Sequence, residues 1–413
     1  MKRLDPESLA ARQLARDRAA TRTPALFARK TARMTASAFG FLRGSAPLFY
    51  DVLARIPALA EGPRGEGWLA GDLHLENFGA YRAGAPRAAG HADVAFDVND
   101  FDDGVVGPHR LDVVRLATST LLMARGAGAS GARALEVTSA LLDGYAHAME
   151  RRAPPPPPAP IERLLTQVRA RTRRALLAAR TIGHGDLRRF ARGAHYLDIG
   201  PALDARARAV FARWAAPIAA DHGIDPAALT VLDVAFRVAG TGSLGALRLA
   251  ILVRGKGGKD GAWVFELKEE GVPSPSSFLT PPRLVPAARV VTAMNACQAH
   301  PPKLLGAVVL DGRSMLARRL TPQEDKLALA AIGADEIDGT AAYLGAIAAQ
   351  AHRRGATKPA RRAWKRRELD ALLSAAIELA GIHEAAYVAY CGLVAKEPPL
   401  ATSPKAARAR RRG

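Results

Sequence analysis

Apolar positions along the chain change period several times, and each change marks a different kind of element. Phe39 to Ile56, FGFLRGSAPLFYDVLARI, has the spacing of a helix. In Ala92 to Gly104, ADVAFDVNDFDDG, the residues Val94, Phe96 and Val98 alternate with polar ones, the period of a strand. Helical spacing resumes from His109 to a Gly-rich stop at Gly128. From Leu229 the texture is different. Three apolar, β-like runs separated by two Gly-rich turns extend to Glu270 and predict a small antiparallel meander. Helical patterns return at Ala287–His300 and continue through DKLALAAI (Asp325 to Ile332) and Ala341–Gly355 to about Val394. No internal repeat is visible.

Punctuation between these elements divides the chain. APPPPPAP, Ala153 to Pro160, is a stiff polyproline linker. The expected organisation is 1–150, a basic N-terminal segment and the part with the loop discussed below; 151–225, the linker and a basic helical insertion (161–220); 226–330, the β region; and 331–413, C-terminal helices with a basic tail. The first thirty residues read as an amphipathic or partly disordered basic helix.

Composition adds limits. With 413 residues, 49% of them hydrophobic, the chain can bury a full core. It has only two cysteines, Cys297 and Cys391, so no disulfide framework is expected and a reducing, cytoplasmic setting is. The N-terminus lacks an apolar segment of the secretory kind, and no run approaches eighteen apolar residues, so no membrane span is expected. The formal net charge of +20 favours anionic partners. Arg is abundant along the whole chain, however, and aromatic interleaving of the kind that binds single strands is missing. A nucleotide is therefore preferred to nucleic acid as partner, with nucleic acid kept open by the charge.

Four constellations carry chemistry. GTGSLG, Gly240 to Gly245, fits G-x-G-x-x-G. A dinucleotide fingerprint would open a helix after its strand, whereas ALRLAILVRG is another strand, so the loop has the arrangement that covers nucleotide phosphates in kinases. Gly240, Gly242, Ser243 and Gly245 are its candidate binding residues. On the third run, WVFELKEE, Val264, Glu266 and Lys268 share a face, and Lys268 is placed to bind α- and β-phosphates; its plain alternative is an edge-strand lysine that resists aggregation. GDLHLENFG, Gly71 to Gly79, sets Asp72 five residues before Asn77, and VNDFDD follows with Asp100. A first Asp that orients or accepts the proton of a hydroxyl, with Asn and a second Asp as hard oxygen ligands for Mg²⁺, is the donor set of phosphoryl transfer from ATP. His74 reads as a loop brace. A second HGDL, His184 to Leu187, has Ala191 where the Asn would stand and reads as a surface turn.

In ordinary kinases the Gly loop and lysine come first; here the Asp loop does. A circular permutation accounts for this, and Ala341–Gly355 is similar to the helix that precedes the catalytic loop in aminoglycoside-phosphotransferase-type kinases. With FGFLRGSA, GDLHLENFG, FDVNDFDD, GPHRLDVVRLATS, RVAGTGSLG, ELKEE, ARRL and YLGAIAAQAH in order from Phe39 to His352, the chain resembles the bacterial domain-of-unknown-function family 2252. The resemblance implies an α+β, two-lobed protein-kinase-like fold, circularly permuted, with a small antiparallel β lobe and a larger mainly helical one. It aligns Asp72 with the catalytic Asp, Asn77 and Asp100 with the metal ligands, Lys268 with the phosphate lysine, and Asp112 with a structural Asp that braces the catalytic loop. Two positions depart: Ala70 replaces a usual His, and the helix containing Thr292 offers Lys268 no Glu. The expected activity is ATP- and Mg²⁺-dependent transfer to a hydroxyl of a small molecule or protein. The alternatives are a nucleotide-binding pseudokinase and a metal-dependent phosphohydrolase using Asp72, His74, Asp97, Asp100 and Asp102, which leaves GTGSLG and Lys268 unexplained.

Overall fold

The computed structural model describes residues 4–21, 23–84, 94–150, 155–238, 246–359 and 364–397. It is an α+β protein with several small antiparallel sheets. Its helical core draws on both ends of the chain. Asp5 and Thr23, each followed by Pro, cap the helices Pro6–Ala20 and Pro24–Thr35 by accepting backbone N–H groups. The N-terminal region is thus two packed helices, where a single amphipathic or partly disordered basic helix was expected. A buried ion pair fastens them: Lys30 Nζ lies 2.7 Å from Asp17 Oδ1. Gln13 and the Tyr390 hydroxyl, from the C-terminal helix Arg366–Ala395, donate to the same carboxylate. By length and composition that 30-residue helix could cross a membrane, a test that the core helix of a soluble protein also passes. Here its Leu372, Ala376 and Leu379 are buried in the helical core.

The run Phe39–Ile56 is two helices, Ala38–Gly44 and Ala46–Arg55, broken at Ser45. Pro47 cannot donate an N–H to continue the first helix and is well placed in the first turn of the second. Deeper in, Arg110–Gly126 is buried on nearly all sides. Gly131–Glu150 crosses Ile337–Arg354 so closely that a Cβ on Gly144 would sit 2.1 Å from the Ala342 carbonyl, and one on Gly345 2.0 Å from the Leu141 carbonyl. Only glycine permits that approach. It sets Ile337–Arg354 tightly against a helix about two hundred residues earlier in the chain.

The main sheet has six antiparallel strands in the order Leu305–Leu310, Arg313–Leu320, Trp263–Glu269, Arg248–Val253, Val231–Arg237 and Tyr196–Leu197. Three were legible as the meander. The hairpin Leu305–Leu320 was not anticipated, although Asp311 and Gly312, both at positive φ (51° and 73°), form the Asp-Gly turn that joins two right-twisted strands. Leu249, Ile251, Phe265 and Leu267 pack on one face against Phe211 of the helix Pro201–Asp221. Val264 faces the other side with Ala250 and Leu252. Two three-stranded sheets, Glu66–Leu69 between Ala356–Lys358 and Val105–Pro108, and Phe78–Arg82 between Asp325–Lys326 and Val94–Val98, and a two-stranded one, Thr181–Ile182 with Arg189–Phe190, are the other sheets among the described residues. DKLALAAI is therefore a two-residue strand and a 3-10 turn, not a helix; pairing of Asp325 with Ala80 and Lys326 with Gly79 overrides its local pattern.

Candidate functional site

A cleft of about 2040 Å³ runs between the six-stranded sheet and the helical core, and Asp72, Asn77, Asp100 and Lys268 all line it. The chain reaches Asp72 through a tight turn. Gly71 adopts φ +78°, and a Cβ there would meet the Asp103 carbonyl oxygen at 2.0 Å. Three hydrogen bonds fix this turn. Asp112, in the first turn of Arg110–Gly126, accepts the N–H groups of Ala70 (2.7 Å) and Gly71 (3.0 Å), and the Tyr50 hydroxyl donates to the Gly71 carbonyl (2.6 Å). Asp112 is in turn 3.2 Å from His352 Nε2, whose Nδ1 is 2.8 Å from the Tyr145 hydroxyl. Beyond Asp72 the loop braces itself: Asn77 Oδ1 accepts the His74 N–H (2.9 Å), and His74 Nδ1 accepts the Glu76 N–H (3.2 Å). Burial, then Arg43 and Arg115, push the His74 pKa well below its ordinary value, so the ring is a neutral strut.

Asp72 itself rests on Arg115, a residue the sequence did not single out. The Arg115 side chain is fully buried, lies 4.8 Å over the Phe49 ring, and donates to the Leu42 carbonyl and through Nε (2.7 Å) to Asp72 Oδ1. Burial raises the Asp72 carboxyl to about 7; Arg115 pulls it down and Asp103 raises it further. A carboxylate that changes charge near neutrality can exchange a proton at physiological pH.

The second arm is the turn after the strand Val94–Val98. The Asn99 N–H donates to the Asn77 carbonyl (2.8 Å), which ties the two loops together. Burial alone would raise the Asp100 carboxyl, but Lys268, Lys326, Arg248 and Arg318 outweigh it and hold it ionised, below its ordinary range. Lys268 Nζ pairs with Asp102 and, at 3.1 Å, with Glu270. The acid beside Lys268 comes from the same chain segment: residues two apart share a face, so Glu270, just past the strand Trp263–Glu269, follows Lys268. The helix Pro286–Cys297 contributes Arg289 instead. Its guanidinium grips the Asp turn by donating to the carbonyls of Gly104, Asp102 (2.8 Å) and Gly271 (3.1 Å). Next along the sheet, fully buried Glu266 meets Arg237, Arg248 (3.4 Å) and Arg318 (3.2 Å).

Gly240, Gly242, Ser243 and Gly245 lie outside the described residues; Arg237 and Ala246 on either side of them line the cleft. Asp97, counted among the ligands of the hydrolase alternative, is taken up by Arg354 (2.6 Å) and the Ala299 N–H (3.0 Å). Among the described residues no group of three or more His, Cys, Asp or Glu is placed to hold a metal ion. Asn77 with ionised Asp100 is a pair of hard oxygen donors, which suits Mg²⁺, an ion that keeps waters and takes the rest of its shell from phosphates. The second HGDL is an exposed 3-10 turn whose Asp186 pairs with Arg254 (3.0 Å).

Fold and site define an α+β protein with a deep, densely charged cleft between a sheet and a helical core. The chain belongs to the DUF2252 family, uncharacterised proteins conserved in bacteria, whose family model matches residues 22–393. No curated protein and no solved structure gives a significant match.

Proposed function

We propose that the protein is an ATP- and Mg²⁺-dependent phosphotransferase of permuted kinase-like fold that acts on a hydroxyl group. The observation that carries this reading is the meeting, in one cleft, of Asp72, Asn77, Asp100 and Lys268 from segments nearly two hundred residues apart, with Lys268 joined to the Asp turn through Asp102. A phosphohydrolase would not need that lysine. The permutation draws support from Ile337–Arg354, whose His352 reaches Asp112 behind the Asp72 loop. Lys268 would hold the α- and β-phosphates, the 240–245 loop would cover them, and Asn77 with Asp100 would hold Mg²⁺, which supplies charge neutralisation at the phosphates. Asp72, steered by Arg115, orients the acceptor hydroxyl and accepts its proton. Catalysis is then mostly positioning and electrostatics. A nucleotide-binding protein without transfer is the second reading, favoured by one feature: the helix beside Lys268 gives Arg289 rather than Glu.

Calorimetric titration of ATP with Mg²⁺ tests the site. Micromolar-range binding is expected in the wild type, weakened at least tenfold in Lys268→Ala and in Asp100→Ala. Absence of binding in the wild type would sink both nucleotide readings. Transfer separates them. Asp72→Asn is expected to keep ATP binding and to lose roughly 10²–10⁴-fold in rate, the usual contribution of a positioned base. In the wild type the rate should climb through an acid limb near pH 7, where Asp72 ionises. A rate that is flat from pH 5 to 9 would remove Asp72 from the proton's path.

A further inference from the structure

Away from the Asp72 loop the cleft has a second cationic region that the phosphotransfer reading does not use. Arg82 ends the strand Phe78–Arg82, Arg173 opens the helix Arg173–Arg180, and Arg319 stands near the end of Arg313–Leu320. The Arg319 guanidinium lies 4.1 Å over the Trp263 ring. Met315 and Ala317, of the same parity as Arg319, and Trp263 belong to the core on the sheet face opposite Glu266 and Lys268, so this group wraps around the end of the sheet. Arg319 stands across from Phe265 and so on the sheet face opposite Lys268, which separates this group from a phosphate held at Lys268.

Among the described residues none of these three arginines has a carboxylate partner. The acids nearby are already taken, Asp260 by Arg174 and Arg188 and Asp325 by Arg171. Arg319 Nε and Trp263 Nε1 are buried without a hydrogen-bond partner. Burial first, and then the charges of Arg82 and Arg173, lower the Arg319 pKa to about 9. Arg173 Nη1 donates to the Gly261 carbonyl (3.3 Å), which leaves its charge uncompensated, and guanidiniums gathered without a carboxylate form a receptor for a multivalent oxyanion. A carboxylate, with one charge and two oxygens, satisfies one arginine; a phosphate group, with up to two charges and three free oxygens, can engage several.

We propose that Arg82 and Arg319, which line the cleft, form with Arg173 beside them and Trp263 as platform a phosphate-binding site separate from the site at Lys268. It takes a phosphate group, and it does so whether or not the protein transfers one.

The test is calorimetric titration of inorganic phosphate into full-length Lys268→Ala protein, which removes the Lys268 site from view, and into Lys268→Ala/Arg82→Gln. Arg82 is exposed, so its replacement leaves the fold intact. One saturable site in the single variant, weakened at least tenfold in the double variant, is the expected result. Arg319→Gln in the same background should behave like Arg82→Gln. Succinate should bind at least tenfold more weakly than phosphate. Failure of the single variant to bind phosphate overturns the proposal, as does equal binding by the single and double variants. Succinate binding as tight as phosphate overturns the assignment to a phosphate group.

Discussion

Replacing Glu266 by Gln is expected to lower the unfolding free energy at pH 7 by roughly 3 kcal/mol, within the range for breaking a buried ion network by removing one partner. Glu266 lies on the central strand Trp263–Glu269. Arg318 stands directly across from it on one neighbouring strand, Arg248 reaches it from the other, and Arg237 from the strand beyond. One carboxylate thus ties four strands at the point where the sheet meets the cleft. Burial alone would push its pKa up, but Arg237, Arg248 and Arg318 outweigh burial and hold it at about 2, against an ordinary 4.5. Because the folded value is the lower one, the stabilisation is fully present above pH 4.5 and is lost as pH falls from there towards 2; a shift of that size corresponds to roughly 3 kcal/mol. Urea unfolding of wild type and Glu266→Gln at pH 7 and pH 3 checks both parts. The difference should be large at pH 7 and cut to roughly 40% of that value at pH 3. A pH 7 difference under about 1 kcal/mol would show that water in the cleft, rather than Glu266, satisfies the three arginines.

That network shows what the sequence could and could not reveal. Strict alternation on WVFELKEE places Glu266 and Lys268 on one face, and the three meander strands were legible from the same period. The arginines around Glu266 were not, because a period says which way a side chain points and not which neighbour it meets. Glu270 was visible as a strand-end acid, and the same parity argument, carried one step further, would have named it as the Lys268 partner. Arg115 and Arg289 were hidden for a different reason. Each sits in an apolar helical run, where a lone Arg reads as a solvated residue, and only tertiary packing turns it inward onto Asp72 or onto the carbonyls of the Asp turn. The hairpin Leu305–Leu320 carried its signal in Asp311-Gly312 and was overlooked beside the flanking Ala-rich helical patterns. DKLALAAI shows the limit of local reading: its two-residue strand exists because Phe78–Arg82 offers an edge, which no window of that length contains.

Asp112→Ala is expected to cost roughly 3–5 kcal/mol, because it orphans two buried backbone donors and the ring nitrogen of His352 together, at about 1–3 kcal/mol for each unsatisfied group. The loop has little else to hold it. Gly71 is in the left-handed region and pressed against the Asp103 carbonyl, so the turn exists only where its N–H groups are drawn inward. Asp112 does that drawing, and His352, oriented by Tyr145, sits on the same Asp112 oxygen that accepts the Ala70 N–H. The damage should be greatest at the loop. Ala70 and Gly71 amides are expected to exchange with solvent at least a hundredfold faster in the variant, while amides of the strands Arg248–Val253 and Trp263–Glu269 change less, since local opening draws on the lost bonds directly. Asp112→Asn keeps one acceptor oxygen and should lose about half as much. Exchange at Ala70 and Gly71 that is unaltered, with less than about 1 kcal/mol lost in urea unfolding, would mean that the Tyr50 hydroxyl and the packing of Leu69 and Leu73 suffice to hold Asp72 in the cleft. Faster exchange confined to the loop would show that Asp112 and His352, 240 residues apart in the chain, act together to hold Asp72 in the cleft.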